Sequence, residues 1–101
     1  MESTSQGFGK QDKESLKSDP DKKLNAITLI NQGKLIEAEI IYRDLVKEGT
    51  YDHIVLGNLA ALCTMSGKKD DARKFLNQAL KYQPNFADAH NNLAILLKEE
   101  G

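Results

Sequence analysis

Gly33 and Gly67 stand 34 residues apart, and matching residues accompany them at the same offset: Lys34 with Lys68, Ala38 with Ala72, Val46 with Leu80. A third copy begins at Ala87 and reaches Gly101, again 34 residues beyond Gly67. A period of this length constrains the fold more tightly than any composition. Each unit is one supersecondary element that cannot bury its apolar face alone, so neighbouring units must stack.

The repeats are helical by their spacing. Ser18-Asp19-Pro20 offers an N-cap followed by a proline whose fixed φ suits a first helical turn, and Leu24, Ala26, Ile27, Leu29 and Ile30 follow at helical steps up to Asn31-Gln32-Gly33. A second helix carries Leu35, Ala38, Ile41, Tyr42, Leu45 and Val46 on one face. Lys34, Glu37, Arg43, Asp44 and Lys47 lie largely on the other, and Glu48-Gly49-Thr50 ends it. The next pair is expected from about Tyr51 to Ser66, with Val55, Leu56, Leu59, Ala60, Leu62 and Cys63 inward, and from about Lys69 to Tyr82, with Phe75, Leu76, Ala79 and Leu80 inward. Gln83-Pro84-Asn85 breaks the chain, with Asn85 as the cap of a last helix from about Phe86 to Glu100. No segment alternates with period two, so no strand is expected.

Residues 1–18 are polar, with Phe8 and Leu16 as their only large apolar side chains, and too little surface to offset the entropy of ordering. They are expected to form a disordered tail, in which Phe8 is either a short docking element or incidental. Lys plus Arg number 14 against 15 Asp plus Glu, so no single-sign field points to nucleic acid or an anionic membrane. One cysteine cannot form an internal disulfide, and no segment approaches the roughly 20 apolar residues needed to cross a bilayer. With no basic stretch leading into an apolar run near the start, a cytoplasmic location is expected.

The repeat resembles the tetratricopeptide repeat. Counting units from Asp19, His53 and Ala87, the family's small eighth residue is Ala26, Ala60 and Ala94, and its turn glycine is Gly33, Gly67 and Gly101. The alanine at the twentieth position is Ala38 and Ala72, the leucine at the seventh is Leu59 and Leu93, the large residue at the twenty-fourth is Tyr42 and Leu76, and the late proline is Pro84. The first unit diverges, with Asn25, Leu45 and Thr50 at positions usually held by leucine, alanine and proline. The resemblance implies an all-α fold of antiparallel helix–turn–helix units, stacked as a short right-handed superhelical solenoid of five helices. The units are 19–52, 53–86 and the first helix of a third, 87–101.

The resemblance further implies that the first helix of each unit lines a concave face that binds a protein or an extended peptide. The residues expected there are Lys23, Ile27, Ile54, Asn58, Met65, Asn91, Asn92 and Ile95, with Gly57 and Asp88 among their neighbours. Asn58 and Asn92 hold the same position one period apart. Carboxamides both donate and accept, so the pair looks like the asparagine ladder of some tetratricopeptide arrays; alternatively, asparagine merely suits a solvent-facing site. The family's carboxylate clamp is matched by Lys23 and Asn58 but not by Ile27, and Asp88 would repel a carboxylate.

No catalytic constellation is found. His53 and His90 have no cysteine at ligand spacing, Cys63 reads as a small buried hydrophobe, and Lys68-Lys69-Asp70-Asp71 as a solvated turn. Neither cofactor nor metal is expected, and the chain is read as a binding module rather than an enzyme. Two other roles stay open: a structural segment of a longer array, self-associating through its C-terminal helix, or the docking region preceding a transferase-like domain, as in the bacterial proteins it resembles. Ala89, Leu93, Leu96 and Leu97 are too many for the preceding unit to cover.

Overall fold

The computed structural model describes residues 19–50 and 52–100. The expected tail with Phe8, together with Tyr51 and Gly101, lies outside them. Five helices make up the described chain: α1 Asp19–Asn31, α2 Leu35–Lys47, α3 His53–Met65, α4 Lys69–Tyr82 and α5 Ala87–Glu100. No strand occurs among the described residues. Each helix packs on the next, and α3 also meets α5, which gives an all-α helical repeat.

The turns follow from the glycines. Gly33 and Gly67 adopt φ of 77° and 80°, a left-handed conformation that costs an L side chain roughly 1–2 kcal/mol. The Lys34 N–H then reaches back to the Leu29 carbonyl at 2.8 Å and the Gly33 N–H to Ile30 at 2.9 Å. Lys68 and Gly67 repeat this pairing onto Cys63 and Thr64, at 2.7 and 3.1 Å. These are Schellman closures, which satisfy carbonyls orphaned at a helix end. The end of α2 closes likewise, with Thr50 donating to Leu45 at 2.9 Å.

Two helix starts differ from the sequence expectation. α3 begins at His53 because Asp52 is extended and its carboxylate accepts the Ile54 N–H at 2.7 Å, which makes Asp52 the cap. α5 begins at Ala87 rather than Phe86, and Asn85 is not adjacent to it. The Phe86 N–H donates to the Gln83 carbonyl at 3.0 Å, so the chain turns once more before the helix can start.

The core is a single apolar cluster running through the stack. Ala26, Ala38, Ala60 and Ala72 are fully buried where paired helices approach, with Tyr42, Leu45, Leu56, Leu59 and Leu76 filling the space around them. Ala94, the third member of the small-residue series, is exposed instead. Its two counterparts lie within helix pairs, whereas no described helix pairs with α5 in that way. Ala89 and Leu96 are covered, while Leu97 is 59% exposed. α1 is polar where α3 is apolar: Asp21, Asn25 and Thr28 stand at the repeat positions of Val55, Leu59 and Leu62.

An ionic network joins α2 to α4 and the turn before it, so the turn at residues 68–71, largely exposed as expected, also supplies partners to α2. Glu39 of α2 is 5% exposed, and its Oε2 accepts from Lys68 Nζ at 2.7 Å and Arg43 Nε at 2.9 Å. Arg43 Nη2 donates to Asp71 at 2.8 Å, and its guanidinium lies 5.6 Å over the Phe75 ring. Arg43 is therefore half-buried against α4 rather than lying fully on the outer face. The hydrogen bond from Lys68, against the opposing effect of burial and aided by Arg43, holds the Glu39 carboxyl below the usual glutamate range.

Candidate concave binding groove

Helical spacing puts Gly57, Asn58, Ala61, Thr64 and Met65 along one strip of α3, and Asp88, Asn91, Asn92 and Ile95 along one strip of α5. Because α3 meets α5 directly, these strips border a shared groove. Two adjoining hollows mark it. The first, about 240 Å³, is bordered by Gly57, Asn58, Phe86, Asp88, Asn91 and Asn92. A second hollow of about 230 Å³ is bordered by Thr64, Met65, Ile95 and Leu96, and it shares Ala61 and Asn92 with the first.

Of the eight residues singled out from the sequence, five meet here. Asn58, Asn91 and Asn92 surround the first hollow, and Met65, Asn92 and Ile95 the second, with Met65 66% and Ile95 52% exposed. Lys23, Ile27 and Ile54 border neither hollow. Ile27 and Ile54 are exposed, while the Lys23 ammonium is held 2.8 Å from Asp52, the cap of α3. Burial works against ionisation of Asp52, but the hydrogen bonds from Lys23 and the Ile54 N–H outweigh it and lower its pKa.

Asn58 is anchored from behind. Its Nδ2 donates to the Tyr42 hydroxyl at 3.1 Å, which fixes the carboxamide and leaves Oδ1 without a described partner. Tyr42 belongs to the core, so the groove floor is tied to the interior. Phe86, read from the sequence only as the start of a helix, instead borders the groove. Its ring lies so close to Gly57 that a Cβ there would come within 2.9 Å of Cε2. Gly57 is thus covered on one side by an aromatic. A glycine inside a helix costs about 1 kcal/mol relative to alanine, and that cost was the sequence signal for a close neighbour. The other face of the contact is His53, edge-on to Phe86 at 5.0 Å.

A larger hollow, about 470 Å³, opens at the turn edge between Leu35, Ile36, Leu62 and Met65. Its buried charge, Glu39, is already committed to Lys68 and Arg43, so it offers shape without a free polar group of the interior. Cys63 is buried, and burial pushes its thiol above the ordinary range despite the opposing influence of Arg43. His90 Nε2 is hydrogen-bonded with the Pro84 carbonyl at 2.8 Å. Among the described residues, no group of three or more His, Cys, Asp or Glu could hold a metal ion, and no helix is long and apolar enough to cross a membrane.

The sequence model of the family described as Tetratricopeptide repeat matches residues 75–101. The match covers the last part of α4 and all of α5, and it supports a tetratricopeptide-type repeat. No curated protein matches the chain. A repeat of this type points to a protein–protein interaction module in general, and to protein partners.

Proposed function

We propose that this chain is an interaction module that holds an extended peptide, or an extended segment of a partner protein, in the groove between α3 and α5. The observation that carries the proposal is the meeting of three asparagine carboxamides with two exposed apolar side chains around adjoining hollows. Carboxamides pair with the main chain of any extended peptide, and the apolar side chains of Met65 and Ile95 gain from being covered. On this reading the repeat domain is residues 19–101, with units 19–52, 53–86 and 87–101. Lys23, Ile27 and Ile54 border neither hollow.

The test is binding of a random-peptide library to the purified chain, followed by titration of an enriched peptide against Asn92→Ala combined with Ile95→Ser. Both side chains are on the groove side, so helicity by circular dichroism should be retained while affinity falls at least about tenfold, equal to 1.4 kcal/mol. Affinity indifferent to the double variant would remove the groove from consideration.

Exposure of Ala94 and Leu97 favours a second role, in which α5 stacks against another copy or a longer array. Solution mass that stays monomeric as concentration rises counts against self-association.

A further inference from the structure

We propose, on the basis of the groove reading above, that the groove is selective. It takes an extended peptide with an arginine in the first hollow and an apolar residue two positions away in the second. Each hollow, at about 240 and 230 Å³, is smaller than the roughly 300 Å³ at which small-molecule sites begin, so each suits one side chain. They share Ala61 and Asn92 as a common wall. In an extended chain, residues i and i+2 point to the same side at roughly 6.5–7 Å, so two hollows that share a wall suit side chains two positions apart.

Charge decides what enters the first hollow. Asp88 is the only ionisable side chain on its border, and it makes no ion pair among the described residues. Asn58, Asn91 and Asn92 add amide oxygens, and half-buried Phe86 adds an aromatic ring. A guanidinium uses all three: a carboxylate for its charge, planar acceptors for its fork of donors, and a ring against which to stack. An ammonium would use Asp88 as a point charge and little else, while a peptide carboxylate would be repelled. The second hollow offers Met65, Ile95 and Leu96, with no charged side chain on its border.

The experiment is a random-peptide selection on the intact chain, run in parallel on Asp88→Asn, Asp88→Glu and Ile95→Ser, with circular dichroism to confirm that each variant is folded. The expected outcome is enrichment of peptides carrying arginine two residues from an apolar side chain. Replacing that arginine by glutamate should weaken binding at least about tenfold by fluorescence anisotropy, and replacing it by lysine should weaken it less. Asp88→Asn should lose the preference, Asp88→Glu should keep it, and Ile95→Ser should lose only the apolar requirement. Peptides that bind and lose affinity with Ile95→Ser, yet show no basic residue or the same set with Asp88→Asn, would overturn this selectivity and leave the groove reading standing. Enrichment of no peptide by the folded chain overturns both.

Discussion

Glu39→Gln isolates the charge at the centre of the α2–α4 network without changing side-chain shape. Glu39 Oε2 takes two charge-assisted hydrogen bonds, from Lys68 at 2.7 Å and Arg43 at 2.9 Å. Such bonds contribute about 1.5–3 kcal/mol and neutral ones about 0.5–1.5, so each loses about 1 kcal/mol when the charge is removed. Arg43 and Lys68 are 36% and 50% exposed and regain water on release, which lowers the expected total to about 1–2 kcal/mol. For a domain of this size that corresponds to a fall in Tm of roughly 5–15 °C. The pH dependence has a definite sign. Because the folded-state pKa of Glu39 lies below its unfolded value, its contribution is complete above the unfolded value and is lost as pH falls through the lowered folded value. Urea unfolding of both proteins from about pH 7 to about pH 3 should therefore show the stability gap narrowing through the acidic range. A gap below about 0.5 kcal/mol at neutral pH, or one constant across the range, would refute the assignment of Glu39 as a stabilising anion.

Two further substitutions test the packing and the cap. Ala60→Leu or Ala72→Leu, each at a buried close approach, should destabilise by about 1–3 kcal/mol through overpacking, and unchanged thermal midpoints for both would mean the helix faces are misassigned. Asp52→Ala removes both the cap on the Ile54 N–H and the partner of Lys23, for an expected loss of about 1–2 kcal/mol in urea unfolding; Asp52→Asn should recover part of it, and equal loss in the two variants would rule out capping.

What could be read from the chain divides by distance along it. Gly33 and Gly67 announce their turns because left-handed backbone is a local property, and the apolar faces of α3 and α4 are set by spacing within about four residues. Arg43–Asp71 and Glu39–Lys68 join residues 28 and 29 apart, on helices whose relative rotation depends on packing, so charges that look solvated in the sequence are brought into one network. The groove divides in the same way. Asn58, Asn91, Asn92, Met65 and Ile95 meet because the repeat register aligns α3 with α5. Lys23 does not join them, since an aspartate 29 residues later, placed by the α3 cap, holds its charge. Phe86 reads from the sequence as the first residue of the last helix, but the extra turn after Gln83 leaves it in the connection, where helical spacing does not apply.

The hydrogen bond between Asn58 and Tyr42 gives the protein an optical property. The chain contains no tryptophan and three tyrosines, so its intrinsic emission comes from phenols, and one of these has its hydroxyl bonded to the groove floor while the residue is only 1% exposed. Phenol emission and near-ultraviolet absorption respond to the partner of the hydroxyl. Whatever repositions the Asn58 carboxamide from the solvent side thus registers in the spectrum of a side chain that solvent barely touches, and occupancy of the groove becomes observable in unlabelled protein.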